Sequence, residues 1–138
     1  KTMKVAVFRK AHFNAAHRLH VEGWSDEQNR EEFGKCNNPH YHGHNYAMDI
    51  KVVGEVDPIT GYVIDMKYLK DIIKEKVEDK LDHKNLNIEV PEFKTVNPSC
   101  ENICILIHTI LQEALGKKYE VTVRLYETPR NYCEYPAS

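Results

Sequence analysis

KCNNPHYHGHNYAMDIKV, residues 35–52, carries one cysteine, three histidines and, from His44 onward, a strict alternation. Tyr46, Met48, Ile50 and Val52 fall on one side of an extended chain; Ala47, Asp49, Lys51 and Val53 fall on the other. That period of two is the pattern of a strand buried on one face, and such a strand needs paired neighbours and a covering layer. Upstream, residues 3–14 are rich in Val, Phe and Ala with interleaved charges, a first strand ending near the polar cluster FNAAHRLH. Between the two strands, SDEQNREEFG, with Ser25 as N-cap and Gly34 as terminator, reads as a short exposed helix or a long loop. Downstream, DPITG supplies a turn through Pro58 and Gly61, and YVID returns to extended form, which predicts a hairpin.

The period then changes. Leu69, Ile72, Ile73, Val77 and Leu81 share one face of a helix over 66–81, and charged residues cover the rest. After the polar loop DHKNLNIEVPEFKTVNPS, Ile103, Leu106, Ile107, Ile110, Leu111 and Leu115 define a second helix. Asn97 or Ser99 is its cap, Pro98 is acceptable in its first turn, and Gly116 stops it. YEVTVRLYE and NYCEYP form a final hairpin. The order ββααββ, with two helices on one face of a four-stranded antiparallel sheet, is an α+β two-layer sandwich. Its other sheet face must be solvated or covered by another subunit, so oligomerisation is expected.

A chain of 138 residues is one domain, 1–138, able to bury a core without staples. Its 41% apolar and 29% charged residues are those of an ordinary globular protein, and no apolar run reaches the roughly 18 residues of a membrane span. KTMKVAVFRK lacks the apolar stretch of a signal peptide. A formal charge of −2 argues against bulk electrostatic binding of nucleic acid, while leaving room for a local basic pocket for a phosphorylated small molecule. The four cysteines show no secreted framework, and we read them as reduced thiols of a cytoplasmic protein. Only Cys36 lies in a polar, glycine-flanked loop where a thiol meets substrate.

His42 and His44, two apart at the start of a strand, project from the same face and can converge on one cation. His12, His17, His20, His40 and His83 compete as third ligand, and spacing does not choose between His17 and His20. Three imidazoles leave the open position of catalytic zinc, whereas Cys36 as fourth ligand closes the site as in structural zinc. Asp82 and His83 end the first helix, either as a solvated acid and a dipole-facing histidine or as an orienting carboxylate behind a general acid/base. Glu127, at the end of a strand, is either a solvated charge or a carboxylate that accepts paired N–H donors from a 2-aminopyrimidinone edge.

GKCNNPHYHGHNY, LDHKNL, NPSCEN and LYET, in this order and spacing, resemble the 6-pyruvoyltetrahydropterin synthase family over about Phe13 to Tyr135. The resemblance implies a T-fold (tunnelling fold), in which four-stranded sheets join into a trimeric barrel and two trimers stack as a hexamer. It implies zinc on His17, His42 and His44, and Cys36 as catalytic base. Asp82 and His83 are then its acid/base partners, contributed by a neighbouring subunit, and Glu127 is the pterin anchor. Ser99 keeps a hydroxyl, and Cys100 does not, where family threonines help to bind pterin. The implied activity is a zinc-dependent lyase converting 7,8-dihydroneopterin triphosphate to 6-pyruvoyltetrahydropterin with release of triphosphate, in tetrahydrobiopterin synthesis. Arg18, Lys35 and Lys84 are candidate cations for the triphosphate.

Two rivals stay open. One is 6-carboxytetrahydropterin synthase of the queuosine precursor pathway, which typically has a shorter cysteine to His-Gly-His spacing than CNNPHYHGH. The other is a non-catalytic zinc or pterin-binding module closed by Cys36.

Overall fold

The structure, a computed structural model, describes residues 3–137. Strands β1 (Lys4–His17) and β2 (His42–Glu55) pair antiparallel along their full lengths, from Lys4 opposite Glu55 to His17 opposite His42. β2 continues into β4 (Glu120–Tyr126), and β4 into β5 (Tyr132–Tyr135), both antiparallel. To these four strands the chain adds β3 (Lys84–Asn85), two residues parallel to Ala15 and Ala16, giving the order β3-β1-β2-β4-β5.

One sheet face is roofed by two helical segments. The first comprises α2 (Met66–Ile73), a π-turn (Lys74–Glu78) and α3 (Asp79–Leu81); the second is α5 (Cys100–Leu115). The expected inward residues of β2, Tyr46, Met48, Ile50 and Val52, are fully buried beneath them with Val121, Val123 and Leu125 of β4. The π-turn has a simple cause. Leu69, Ile73, Val77 and Leu81 recur every four residues, which at 3.6 residues per turn would rotate each about 40° from the last. The wider turn takes up that rotation and keeps all four in the core.

Three local expectations change. YVID is not a strand: Val63 and Ile64 are both buried, against alternation, and the Asp65 carboxylate accepts from Lys67 N–H as N-cap of α2. The 82–99 loop is also more structured than its polarity predicts. It contains β3, α4 (Leu86–Glu89) and a 3₁₀ turn (Pro91–Phe93), which bury Leu86, Val90 and Phe93. Ser99, not Asn97, caps α5, and Pro98 lies before the helix. The segment 25–34 is α1 (Asp26–Phe33), capped by Ser25 and ended by Gly34 at φ 54°.

The other sheet face is open and polar. Lys10 Nζ donates to Asp49 at 2.9 Å, the Tyr126 hydroxyl donates to Asp49 at 3.3 Å, and Arg124 pairs with Glu134 at 2.9 Å.

Where β2 leaves the core, Gly54 lies beneath Tyr119. A Cβ there would stand 2.9 Å from Tyr119 Cδ1 and 3.0 Å from Val63 Cγ1. Gly54→Ala is expected to cost about 1–3 kcal/mol through overpacking, read as a lower urea midpoint at unchanged slope. An unchanged midpoint would show that the ring and Val63 shift freely.

Candidate metal and catalytic site

The β1–β2 register sets the site. It pairs His17 with His42 and Ala15 with His44, so all three imidazoles stand on the helix-side face at one end of the sheet. His17 is fully buried. Its Nδ1 lies 2.7 Å from the Pro98 carbonyl, which can only accept, so Nδ1 carries the proton and Nε2 presents a lone pair. Pro98 can offer that carbonyl because it sits just outside α5. His17 Nε2 and His44 Nε2 are both buried without a hydrogen-bond partner. In an ordinary interior such orphans are rare and costly.

Ligand atoms of His17, Cys36 and His44 lie within 4.8 Å of one another. The His42 ring stands edge-on to His44, centroids 4.5 Å apart, and flanks this cluster rather than entering it. Two orphaned imidazole nitrogens, one with its tautomer fixed by a backbone carbonyl, beside a thiol and a further imidazole, form a donor set that fits zinc. The other candidate histidines lie elsewhere. His12 points to the open sheet face opposite Ala47, His20 is tied to Asn37 at 3.2 Å, and His40 and His83 are exposed.

Glu127 faces this cluster from the turn after β4, where its N–H donates to the Asn131 carbonyl at 3.0 Å. Its Oε1 is 3.9 Å from His44 Nε2, near enough for charge interaction and too far for a hydrogen bond. Burial, opposed by Glu127 and assisted by His17 and His42, lowers the His44 pKa. Burial and then Glu127 push the Cys36 thiol up, so without further positive charge it is protonated. Lys35, its neighbour in sequence, is exposed and is not among the groups that set this shift.

Asp82 and His83 lie apart from this cluster, at the β1 edge. Asp82 accepts from the Asn14 N–H at 2.8 Å, which together with His83 holds its carboxyl below the usual range. Its other oxygen lies 3.0 Å from His83 Nδ1. His83 takes a left-handed φ of 58°, anchored by its N–H to the Asn14 carbonyl, and its ring points into open space. The Ser99 hydroxyl accepts from Asn102 N–H at 3.1 Å as helix cap. Cys100 is half-buried, with its sulfur 3.4 Å from that of Cys133.

Sequence reasoning did not find Pro98 as the partner of His17. Nor did it find the asparagines that hold the chain after His17. A backbone acceptor leaves no composition signal, and buried asparagines look like loop residues.

The sequence model of 6-pyruvoyl tetrahydropterin synthase matches residues 6–138. The chain belongs to this family. It is 43% identical over 129 residues to human 6-pyruvoyl tetrahydrobiopterin synthase, covering 94% of this chain and 89% of that one. The solved structure of the Caenorhabditis elegans 6-pyruvoyl tetrahydropterin synthase superimposes with a TM-score of 0.90 at 40% identity, over 99% of this chain and 97% of that one. A more distant relative, the dihydroneopterin monophosphate aldolase of Pyrococcus furiosus, is 31% identical over 113 residues, 82% of this chain and 80% of that one. The fold is therefore the α+β T-fold expected from the motifs.

Because His44 is held neutral, its folded-state pKa lies below the ordinary 6.5. Its contribution to the stability of the metal-free chain is present above about 6.5 and is lost as pH falls through the lower folded value. Urea midpoints of metal-free wild type and His44→Gln should run parallel above pH 6.5 and converge below it. Parallel curves throughout would refute the buried neutral ring.

Proposed function

We propose that this chain is a zinc-dependent 6-pyruvoyltetrahydropterin synthase that acts on 7,8-dihydroneopterin triphosphate and releases triphosphate. The observation that carries the reading is the pair of orphaned nitrogens, His17 Nε2 and His44 Nε2, converging with the Cys36 thiol in front of Glu127. His17, His42 and His44 would hold the metal, His42 by turning in from its place against His44. When bound, zinc supplies a Lewis acid that makes hydroxyls of the substrate side chain more acidic.

The chain's own groups do the rest. Glu127 accepts two N–H donors from the 2-amino and ring-nitrogen edge of the pterin, which fixes the ring at the end of β4. Cys36 removes a proton from a side-chain carbon, and as a buried thiol it needs positive charge nearby to ionise. Asp82 orients His83 as proton donor and acceptor. Exposed at the edge of β1, this pair would serve the site of a neighbouring chain in a trimeric barrel, two trimers forming a hexamer. The reaction is an internal redox rearrangement with elimination, so it needs no redox cofactor. Ser99, though a helix cap, keeps its O–H free to donate to the pterin. No helix among the described residues is long and apolar enough to cross a membrane.

Purified protein given dihydroneopterin triphosphate should release triphosphate and a 6-pyruvoyl product by mass, and lose both on chelation. Cys36→Ala should keep zinc and lose triphosphate release by at least about 100-fold. A carboxylated pterin with acetaldehyde would instead identify the 6-carboxy enzyme. Zinc ligated by the Cys36 sulfur without turnover would identify a binding module.

Subunit sharing gives a separate expectation. Cys36→Ala and His83→Ala chains, each inactive alone, should recover about a quarter of wild-type activity when dissociated, mixed in equal amounts and reassembled, since random pairing makes that fraction of sites intact. No recovery would place the whole site within one chain.

A further inference from the structure

Residues 18–21 follow His17 outside any strand, yet their backbone is held almost group by group by side-chain amides. Arg18 N–H donates to Asn87 Oδ1 at 2.7 Å, and its carbonyl accepts from Asn87 Nδ2 at 2.8 Å. Leu19 N–H donates to the Cys36 carbonyl at 2.7 Å, and its carbonyl accepts from Asn37 Nδ2 at 2.9 Å. His20 N–H donates to Asn97 Oδ1 at 3.1 Å, and Val21 N–H to Asn29 Oδ1 at 2.7 Å. Asn29 and Asn37 are buried. Four amides from four parts of the chain thus fix one short segment whose single permanent charge is Arg18.

The guanidinium is fixed as well. Arg18 Nε donates to the carbonyl of Asn37, the residue after Cys36, at 3.0 Å. Among the described residues Arg18 makes no ion pair, and no other hydrogen bond uses its terminal nitrogens. Its charge is half-buried and uncompensated. Arg18 lines a cavity of about 320 Å³ with Arg30 from the last turn of α1 and with Asn37 and Asn38; Asp26 is the one acid on its wall. Arg30 likewise makes no ion pair among the described residues. Lys35 is an exposed surface charge, and Lys84 lies on β3, across β1 from the cluster.

We propose that Arg18, with Arg30, forms a subsite for a phosphate chain. On the function proposed above, on which this step rests, that chain is the triphosphate that leaves the substrate. Two planar forks match phosphate oxygens in pairs, and a pre-positioned guanidinium loses little freedom on binding. Arg18 and Cys36 are connected through Asn37, so the cavity adjoins the segment that carries the thiol. A second cavity of about 520 Å³ on the other side of Arg18, lined by His20, Glu22 and Lys94, offers one flexible ammonium and no second fork.

The test uses zinc-loaded protein, with metal-free protein in parallel so that phosphate bound by the metal is told apart from phosphate bound by arginine. Tripolyphosphate affinity is measured by calorimetry, and turnover of dihydroneopterin triphosphate is followed in the same variants. Arg18→Gln and Arg30→Gln should each weaken tripolyphosphate binding by about tenfold or more in both metal states. Both should also raise KM and the inhibition constant of tripolyphosphate more than they lower kcat, with zinc content unchanged. Arg18→Lys should lose less than Arg18→Gln, and Lys94→Gln should match wild type.

Unchanged tripolyphosphate binding in Arg30→Gln, an exposed helix position that leaves the fold intact, would overturn the proposal even if Arg18→Gln failed to fold. Loss confined to Lys94→Gln would move the phosphate chain to the neighbouring cavity and overturn it too. If wild type binds tripolyphosphate through Arg18 and Arg30 but does not turn over the pterin, the subsite stands and the proposed reaction falls. If wild type turns over the pterin and both arginine variants match it, the reaction stands and the subsite falls.

Discussion

The site depends on the register of β1 against β2. Pairing from Lys4 opposite Glu55 to His17 opposite His42 puts Phe13 against Tyr46 in the core and His17 beside His42 and Ala15 beside His44 at the end of the same face. A slip of β1 by one residue would turn Phe13 and His17 to the open face together, away from Tyr46, His42 and His44, so burial of the aromatic pair and convergence of the imidazoles are one choice. The hydrophobic energy that selects the core register also assembles a cluster that, without an ion, leaves two ring nitrogens orphaned. Phe13 and Tyr46 stack at 4.9 Å, and Tyr46 in turn meets His17 and His44 edge-on, so the core runs without a gap into the site.

The second constraint is where α5 begins. With Ser99 as cap, Pro98 stays outside the helix and its carbonyl is free to accept a hydrogen bond from His17 Nδ1–H. Had the helix begun one residue earlier, that carbonyl would have entered the helical hydrogen-bond pattern. His17 would then be free to adopt the other tautomer. The cap therefore acts on the site through one hydrogen bond, and the choice between Asn97 and Ser99, which reads as a boundary detail, decides which ring nitrogen faces the cluster.

Much of this is legible in the residues, and the failures have physical causes. The alternation of Tyr46 to Val52 and the four-residue recurrence of Leu69 to Leu81 are direct records of burial, and both elements appear as expected. Val63 and Ile64 mislead because two adjacent apolar residues can bury in a loop that folds back under the sheet, with Asp65 already committed as a cap. The His42/His44 pairing is visible in sequence, but the choice of His17 over His20 is not. It turns on β1 running three residues beyond the expected 14, a matter of pairing with β2 that no local pattern encodes. The asparagine clamp on residues 18–21 is illegible for the same reason: its bonds span up to 77 residues. The Cys36 environment misleads because Lys35 is adjacent in sequence but exposed, whereas Glu127, distant in sequence, faces the thiol.

That last contrast bears on how the proposed roles depend on one another. Glu127 raises Cys36 and opposes the lowering of His44, so in the unliganded chain one carboxylate favours a protonated base. A carboxylate whose charge is spread into two N–H donors from a pterin edge exerts a weaker field on its neighbours. Anchoring the ring would then relax the upward push on the thiol. The cost of ionising Cys36 would fall further when a ring is in place to be acted on. A single acid at the end of β4 would tie recognition to proton abstraction, with no moving part.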